Sequence, residues 1–378
     1  MRSGIQCLLD VLQGHYQQCR WLEPDFALLL GIAEEENVVP WVVECLRRLD
    51  VDFSPQQKQK LDDLFRAAQF SAFVWAETLK ATLDAFHRAA IPVITLKGPS
   101  LAERIYGDSS LRTCYDLDLL VRSNDVDKAE KLLGDIGFSP NGRADDYHRA
   151  FSRKSINLEL HHNVENPLAF EFDIEGTWSR AIPSNFHGVP MFYMAPFDEL
   201  LYLCLHAVRH RFDRICLILD LSLAFRRLQR PVASIPHWAD SVFNNVLVLG
   251  WMMAAHLDAD IPALQMMRIS SRDRIRLEKI SDRLWQELML WPQPALDWAA
   301  QHRFYIEVES PGWSRLRRRI RHQRILATRL IDEDLVFADR FHLRREWQAR
   351  LLRPIRLLMK GRNASPETLS YPESADSQ

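Results

Sequence analysis

Hydrophobic residues recur at helical spacing through the first 88 residues of the chain. Four stretches place apolar side chains three or four positions apart with charged residues between them, at residues 5–12, 26–33, 38–49 and 61–86. The pattern predicts an N-terminal helical region over residues 1–88.

The pattern then becomes that of strands alternating with helices. Residues 91–96 are apolar and β-branched, as a buried strand is, and residues 115–121 form a second strand candidate. In residues 155–161, Ile156, Leu158 and Leu160 alternate with polar residues and fall on one face of a predicted strand. Helical periodicity accompanies these strands at residues 101–106 and 125–136, and returns at 197–227 and 236–302.

This order predicts an α+β fold, in which a small mixed β-sheet is flanked by N-terminal and C-terminal helical regions. We expect five segments: helices over 1–88, an α/β core over 89–195, a helical domain packed on that core over 196–305, a basic helical region over 306–362 and a disordered tail over 363–378.

Composition narrows the class of protein. Of the 378 residues, 47% are hydrophobic, and the formal net charge is -2, which excludes a globally basic nucleic-acid binder. The six cysteines form no C-x-x-C pair, so neither a zinc knuckle nor a disulfide framework is indicated. The first residues lack the apolar run of a signal peptide, and no apolar stretch reaches the ~20 residues that span a bilayer. We expect a cytoplasmic protein without a transmembrane segment.

One region departs from this near-neutral balance. Residues 311–362 contain fifteen Lys or Arg against five Asp or Glu, and the densest part runs from Arg315 to Arg324. Such a stretch is usually a solvated helix face, and contact with RNA or an anionic membrane is the alternative.

Three acidic residues carry the candidate chemistry. Asp116 and Asp118 are two positions apart on a predicted strand, so both carboxylates lie on one face, and Glu159 holds an equivalent place on another strand. Carboxylates that converge repel one another unless cations separate them, and hard oxygen ligands suit Mg²⁺ or Mn²⁺. We therefore expect a site for two metal ions, and expect Asp118→Asn to leave the metal-free melting temperature equal or slightly higher.

A phosphate-binding element is predicted upstream of these carboxylates. Lys97 and Gly98 lie where a strand passes into a helix, and free N–H groups and the helix dipole favour an anion there. Glycine also allows the backbone to approach a phosphate closely. Lys97 and Arg112 are candidate phosphate partners, and both could equally be ordinary surface charges.

Several motifs in this order resemble the uncharacterised nucleotidyltransferase family of the DNA polymerase β-like superfamily. The resemblance covers roughly residues 1–300 and is carried by Leu96-Lys97-Gly98, Tyr106-Gly107-Asp108, Arg112, Asp116-Leu117-Asp118-Leu119-Leu120-Val121 and Leu158-Glu159-Leu160-His161. Residues 25–33 and 38–40 before the motifs, and 206–210 and 219–221 after them, are similar to the family's helical regions.

This resemblance implies that residues 89–195 form a nucleotidyltransferase palm that transfers an NMP from an NTP to a hydroxyl or phosphate of an acceptor. Gly98 and Ser100 would correspond to the turn at the triphosphate, and three carboxylates, those of Asp116, Asp118 and Glu159, to the metal ligands. The chain departs from the family's Gly-Ser or Gly-Gly turn at Pro99, which supplies no N–H.

Two interpretations remain open for the function and for several polar residues. The alternative to an enzyme is a non-catalytic nucleotide-binding protein that retains the fold, and the intact carboxylates argue against it. His161 is either a nucleotide or metal contact or a polar strand end, and Asp220 either a helix contact or an acceptor contact. His206 and His210 have the i, i+4 spacing of zinc ligands, but a hydrogen-bonded helix beside the site fits them better.

Overall fold

A computed structural model describes most of the chain up to residue 290 and small parts beyond it. The described residues are 4–19, 21–49, 51–141, 147–165, 170–227, 241–258, 260–261, 269–290, 304–309, 316, 320, 337–339, 341 and 352. The chain divides into two units, residues 1–293 and 294–378. In the second unit, residues 304–308 are helical.

In the part of the chain that the structure describes, four α-helices precede the sheet: α1 (Gly4–Leu12), α2 (Glu23–Glu35), α3 (Val39–Arg48) and α4 (Pro55–Arg88). The long helix α4 has a sharply defined start. Ser54 Oγ accepts a hydrogen bond from the Gln57 N–H at 3.2 Å, and the Gln57 side chain accepts one from the Ser54 N–H at 3.0 Å. This capping box, with Pro55 in the first turn, satisfies N–H groups that a helix start otherwise leaves free.

Within the described residues, seven strands form one mixed sheet in the order β3-β4-β5-β2-β1-β7-β6. The strands are β1 (Ile94–Thr95), β2 (Asp116–Leu120), β3 (Ser139–Pro140), β4 (His148–Arg153), β5 (Ile156–His161), β6 (Ile182–Phe186) and β7 (Val189–Tyr193). Strand β2 pairs in parallel with β5 and antiparallel with β1, which pairs in parallel with β7; the other neighbours are antiparallel.

Helices connect and follow these strands. They are α5 (Gly98–Ile105), α6 (Val126–Asp135), α7 (Ile174–Arg180), α8 (Pro196–Arg209), α9 (Ile215–Arg227), α10 (Ser241–Leu257) and α11 (Ser271–Met289). Among the described helices, none combines the length and the apolar composition needed to cross a bilayer.

The core beneath the sheet leaves the other face free for polar side chains. Leu117 and Leu119 of β2 and Leu158 of β5 are buried in one cluster with Leu83 of α4 and Leu133 of α6. Because side chains alternate along a strand, the residues between these leucines project from the opposite face of the sheet.

The predicted α+β fold with a small mixed sheet is confirmed, and several boundaries differ. The strand expected at 91–96 is reduced to β1, and the helix expected at 197–227 is two helices, α8 and α9. Arg211 and Phe212, which lie between these two helices, have positive φ values of 56° and 55°. The sequence has no glycine or proline at this point to indicate that the helix ends. Strands β3, β4, β6 and β7 and helix α7 were not predicted.

Two predictions fall largely outside the described residues. The basic stretch from Arg315 to Arg324 is described only at Leu316 and Ile320, and the tail at 363–378 not at all. Contact with RNA or an anionic membrane therefore stays a prediction, as do the five segment boundaries.

Candidate metal and nucleotide site

The parallel pairing of β2 and β5 brings the three predicted carboxylates together. Asp118 lies directly opposite Glu159 in the strand register, and Asp116 lies two residues earlier on the same face. Carboxylate oxygens of all three residues lie within 4.8 Å of one another. Asp118 is 1% exposed and Glu159 is 29% exposed, so the cluster runs from the interior towards solvent.

Lys97 supplies the nearest positive charge. It immediately precedes α5, and its Nζ lies 3.2 Å from Asp118 Oδ2 with both side chains buried. Burial alone would lower the pKa of Lys97, but the neighbouring acidic groups, Asp118 foremost, together outweigh it and the pKa is raised. Lys97 is therefore charged and forms an ion pair with Asp118, one of the three candidate metal ligands.

His161, at the end of β5, supplies a second positive charge. Its Nε2 lies 3.2 Å from Asp118 Oδ1 and 3.2 Å from Glu159 Oε2. Burial opposes the charged form, but these two carboxylates raise the pKa of His161 to about 9. His148 of β4 faces the same cluster, with its Nε2 3.8 Å from Glu159 Oε1.

The three carboxylates are consequently not equivalent. Burial and then the negative charge of Asp118 raise the pKa of Asp116 to about 6. Burial would also raise the pKa of Asp118, but Lys97 and His161 hold it below its ordinary value. Asp118 is thus the paired carboxylate and Asp116 the repelled one, which favours a loss of stability in Asp118→Asn over the equal or higher melting temperature expected from the sequence.

The predicted phosphate residues lie around the start of α5. Gly98 has a φ of +72°, a left-handed conformation that glycine adopts readily, and Pro99 follows in the first turn. Ser100 is fully buried, and its Oγ lies 2.6 Å from Thr95 Oγ1 on β1. Lys97, Gly98 and Ser100 thus lie next to the carboxylate face, and their roles towards a nucleotide stay predictions.

Arg112 is held by a buried ion pair with helix α9. Its Nε lies 3.0 Å from Asp220 Oδ1 and its NH2 nitrogen 2.9 Å from Asp220 Oδ2, while the Tyr106 hydroxyl donates to the same carboxylate at 2.6 Å. Asp220 is therefore a helix contact in this structure. A phosphate role for Arg112 stays a prediction.

Helix α8 places further polar residues beside Lys97. His206 Nδ1 lies 2.9 Å from a guanidinium nitrogen of Arg209, and the His206 and His210 rings are 4.7 Å apart. Burial, followed by the charge of Lys97, lowers the pKa of His206 well below its ordinary value, and burial lowers that of His210 to about 3. Both imidazoles are neutral at pH 7 in this hydrogen-bonded helix. Tyr202, on the same helix, also lies near Lys97 and was not singled out from the sequence.

A cleft of about 660 Å³ lies between α2, α4 and the segment that leads into β2. Small and apolar side chains form most of its walls, among them Gly31 of α2 and Ala68 and Trp75 of α4. Arg112 and Tyr115, which precede Asp116 in the chain, line it as well. The cleft therefore adjoins the segment that leads into the carboxylate-bearing strand β2.

Comparison with known proteins gives one match to a family. A family model described as an uncharacterised nucleotidyltransferase matches residues 23–236, which include all seven strands. One solved structure, of an antigenic nucleotidyltransferase-like protein from Paracoccidioides brasiliensis, has 15% sequence identity and a TM-score of 0.35, and covers 49% of this chain and 89% of that chain. No curated protein matches the sequence. With more than half of its residues matched, the chain belongs to the uncharacterised nucleotidyltransferase family.

Proposed function

We propose that the chain is a metal-dependent enzyme that transfers an NMP from an NTP to a hydroxyl or phosphate of an acceptor. The observation that supports this most directly is the convergence of Asp116, Asp118 and Glu159 within 4.8 Å on adjacent parallel strands. Three carboxylates provide the hard oxygen ligands that suit Mg²⁺ or Mn²⁺, so the residues fit the ion that the family implies.

In this proposal Asp116, Asp118 and Glu159 hold the metal ions. When bound, the ions neutralise charge on the attacking and leaving oxygens. Lys97 stays paired with Asp118 and offsets part of the negative charge. The acceptor oxygen forms a bond to the α-phosphorus, the bond to pyrophosphate breaks, and the acceptor proton leaves through Glu159, the most exposed of the three carboxylates.

We place the triphosphate at the start of α5, where Gly98, Ser100 and Lys97 adjoin the carboxylates, with Arg112 as a further candidate contact. We place the acceptor in the cleft between α2 and α4. Arg112 connects the two regions, because it lines the cleft and its charge also lowers the pKa of Asp116. The walls suit an acceptor with an apolar body and one reacting hydroxyl, and the volume lies in the usual range for small-molecule sites, about 300–1,000 Å³.

The test is transfer of label from each α-³²P-labelled NTP to components of a cell extract, with Mg²⁺ or Mn²⁺. We expect the parent to label an acceptor, and Asp116→Asn and Glu159→Gln to reduce the rate at least about 100-fold, as loss of one transition-state contact does. Asp198→Asn is the matched control, because Asp198 is a buried carboxylate paired with Arg180 outside the cluster.

Two outcomes would contradict this proposal. Nucleotide that raises the melting temperature without any transfer, with either ion, would support the non-catalytic nucleotide-binding protein instead. Equal rates in the parent and Asp116→Asn would show that the carboxylate cluster takes no part in the reaction.

A further inference from the structure

A second group of metal-binding side chains lies beside the three carboxylates. Ligand atoms of His148, Glu159 and His161 lie within 4.8 Å of one another. In the pairing of β4 with β5, His148 lies opposite His161, and Glu159 lies two residues before His161 on the same face. The sheet therefore presents two imidazoles and one carboxylate at a single point.

We infer that His148, Glu159 and His161 form a binding site for a divalent transition-metal ion, such as Zn²⁺ or Co²⁺. This site shares Glu159 with the carboxylates of the proposed transfer reaction and can be occupied without nucleotide. Imidazole nitrogen binds such ions well, whereas Mg²⁺ prefers oxygen ligands alone.

The orientation of the two rings supports this inference. His161 Nε2 lies 3.2 Å from Glu159 Oε2, and His148 Nε2 lies 3.8 Å from Glu159 Oε1. The rings are nearly parallel, with centroids 5.2 Å apart and an angle of 24° between their planes. Both Nε2 atoms are thus directed at the same carboxylate, where one cation would contact all three groups.

The other nitrogen of His161 has the partner that a metal-bound histidine usually has. Its Nδ1 lies 3.3 Å from the carbonyl oxygen of Asn163, to which it can only donate. In the metal-free protein the charged ring directs its Nε2 proton at the carboxylates. When an ion replaces that proton, the Nδ1 hydrogen bond holds the neutral ring with its Nε2 lone pair towards the ion. Asp118 Oδ1, 3.2 Å from the same Nε2, provides a second carboxylate next to the ion.

An ion also has a route to these ligands. His161 is 2% exposed, but Glu159 is 29% exposed and His148 13% exposed, so the site opens to solvent on the side of β4. Because Glu159 belongs to this group and to the group with Asp116 and Asp118, its carboxylate would lie between two kinds of cation.

The test is a Co²⁺ titration of the full-length, untagged chain after dialysis against a chelator, followed by visible absorption. We expect Co²⁺ bands that Zn²⁺ abolishes and that excess Mg²⁺ leaves in place. His148→Gln should weaken Co²⁺ binding at least tenfold, whereas His210→Gln, which alters a half-buried histidine directly after α8, should not change it. Pulsed electron paramagnetic resonance of the Cu²⁺-loaded parent should detect two coordinated imidazoles, a result that requires no variant to fold.

Several results would overturn the inference. They are strong near-ultraviolet thiolate bands, displacement of Co²⁺ by equimolar Mg²⁺, a single imidazole or none in the Cu²⁺ spectrum, or equal affinities of the parent and His148→Gln. Asp116→Asn separates this site from the proposed function. It should keep the Co²⁺ spectrum and lose the response of the melting temperature to Mg²⁺ and nucleotide.

Discussion

At the scale of single residues, Asp118 organises the charges of the candidate site. It contacts Lys97 on one side and His161 on the other, and all three side chains are buried. Without Asp118, the ammonium of Lys97 would lie in the interior without its nearest counter-charge. An uncompensated buried charge lowers the free energy of unfolding, so the Asp118 carboxylate stabilises the fold even before a metal ion binds.

Asp118→Asn should therefore lower the free energy of unfolding in EDTA by about 3–5 kcal/mol, the usual cost of breaking a buried ion pair. Urea denaturation of the metal-free parent and variant measures this. The double variant Lys97→Met with Asp118→Asn is the control and should recover part of the loss. A variant as stable as the parent would mean that the pair contributes nothing.

Asp116→Asn should behave in the opposite way. The pKa of Asp116 is raised to about 6 from an ordinary value near 4, so the folded protein binds this proton more tightly than the unfolded chain. The charged carboxylate therefore costs stability above pH 6, by up to about 3 kcal/mol, and the cost disappears as the pH falls towards 4.

In EDTA at pH 7.5, Asp116→Asn should consequently melt at the same temperature as the parent or higher. Its advantage should shrink as the pH is lowered from 7 to 4. Melting curves at several pH values check this, with Asp127→Asn, an exposed carboxylate on α6, as the control. A constant difference between the parent and Asp116→Asn across this range would show that Asp116 does not titrate there.

Arg112 has either a structural role alone or a structural role together with a contact to the nucleotide. Replacing Arg112, Asp220 and Tyr106 together by Met, Leu and Phe removes the buried network without leaving an unpaired charge, so stability should stay within about 1–2 kcal/mol of the parent. Arg112→Ala alone should cost about 3–5 kcal/mol. If Arg112 also contacts phosphate, the triple variant should fold normally yet show a raised KM for NTP. An unchanged KM would leave Arg112 with its structural role alone.

At the scale of elements, the start of α5 combines a left-handed glycine with a proline. A Cβ on Gly98 would lie 3.5 Å from the Asp116 carbonyl oxygen, an ordinary contact, so the φ of +72° rather than crowding sets the cost of a side chain. Gly98→Ala should lower stability by about 1–2 kcal/mol. Chemical denaturation measures this, and Gly134→Ala on α6, which lacks the positive φ, should be neutral or stabilising.

The strands differ in how far their sequences predict them. Strands β2 and β5 alternate clearly, because one face enters the core and the other carries polar groups. Strand β4 has few buried positions, and β6 contains Pro183, so neither carries an apolar pattern. His148 was missed for this reason: its position beside Glu159 depends on a strand pairing that the sequence does not indicate. Asp116 and Asp118, by contrast, share a face because of their two-residue spacing, and Glu159 joins them through the pairing of β2 with β5.

At the scale of the whole molecule, the N-terminal helices and the segment that leads into β2 border the same cleft. Gly31 lines it from α2, and a Cβ there would meet nothing within 4 Å. Gly31→Leu should therefore fill space in the cleft while improving helix propensity by about 1 kcal/mol. We expect the melting temperature to hold or rise, the KM for the acceptor to increase, and the stabilisation by Mg²⁺ and nucleotide to stay unchanged.

Gly134→Leu is the matched control, because it makes the same change at an exposed position of α6, where a Cβ also meets nothing within 4 Å. It should leave acceptor labelling unaffected. Labelling rates measured over a range of extract concentrations distinguish the two variants. If both variants have the same KM for the acceptor as the parent, the acceptor does not bind in the cleft.

The register of β2 against β5 has a consequence for how the chain folds. Asp118 and His161 are 43 residues apart in sequence, so their contact forms only after the intervening loop has closed. A slip of one residue would turn Asp118 towards the apolar core and Leu117 towards the charged side chains of the other face. The buried leucines and the charged cluster therefore select the same pairing, and a misregistered folding intermediate would lose the core and the metal ligands together.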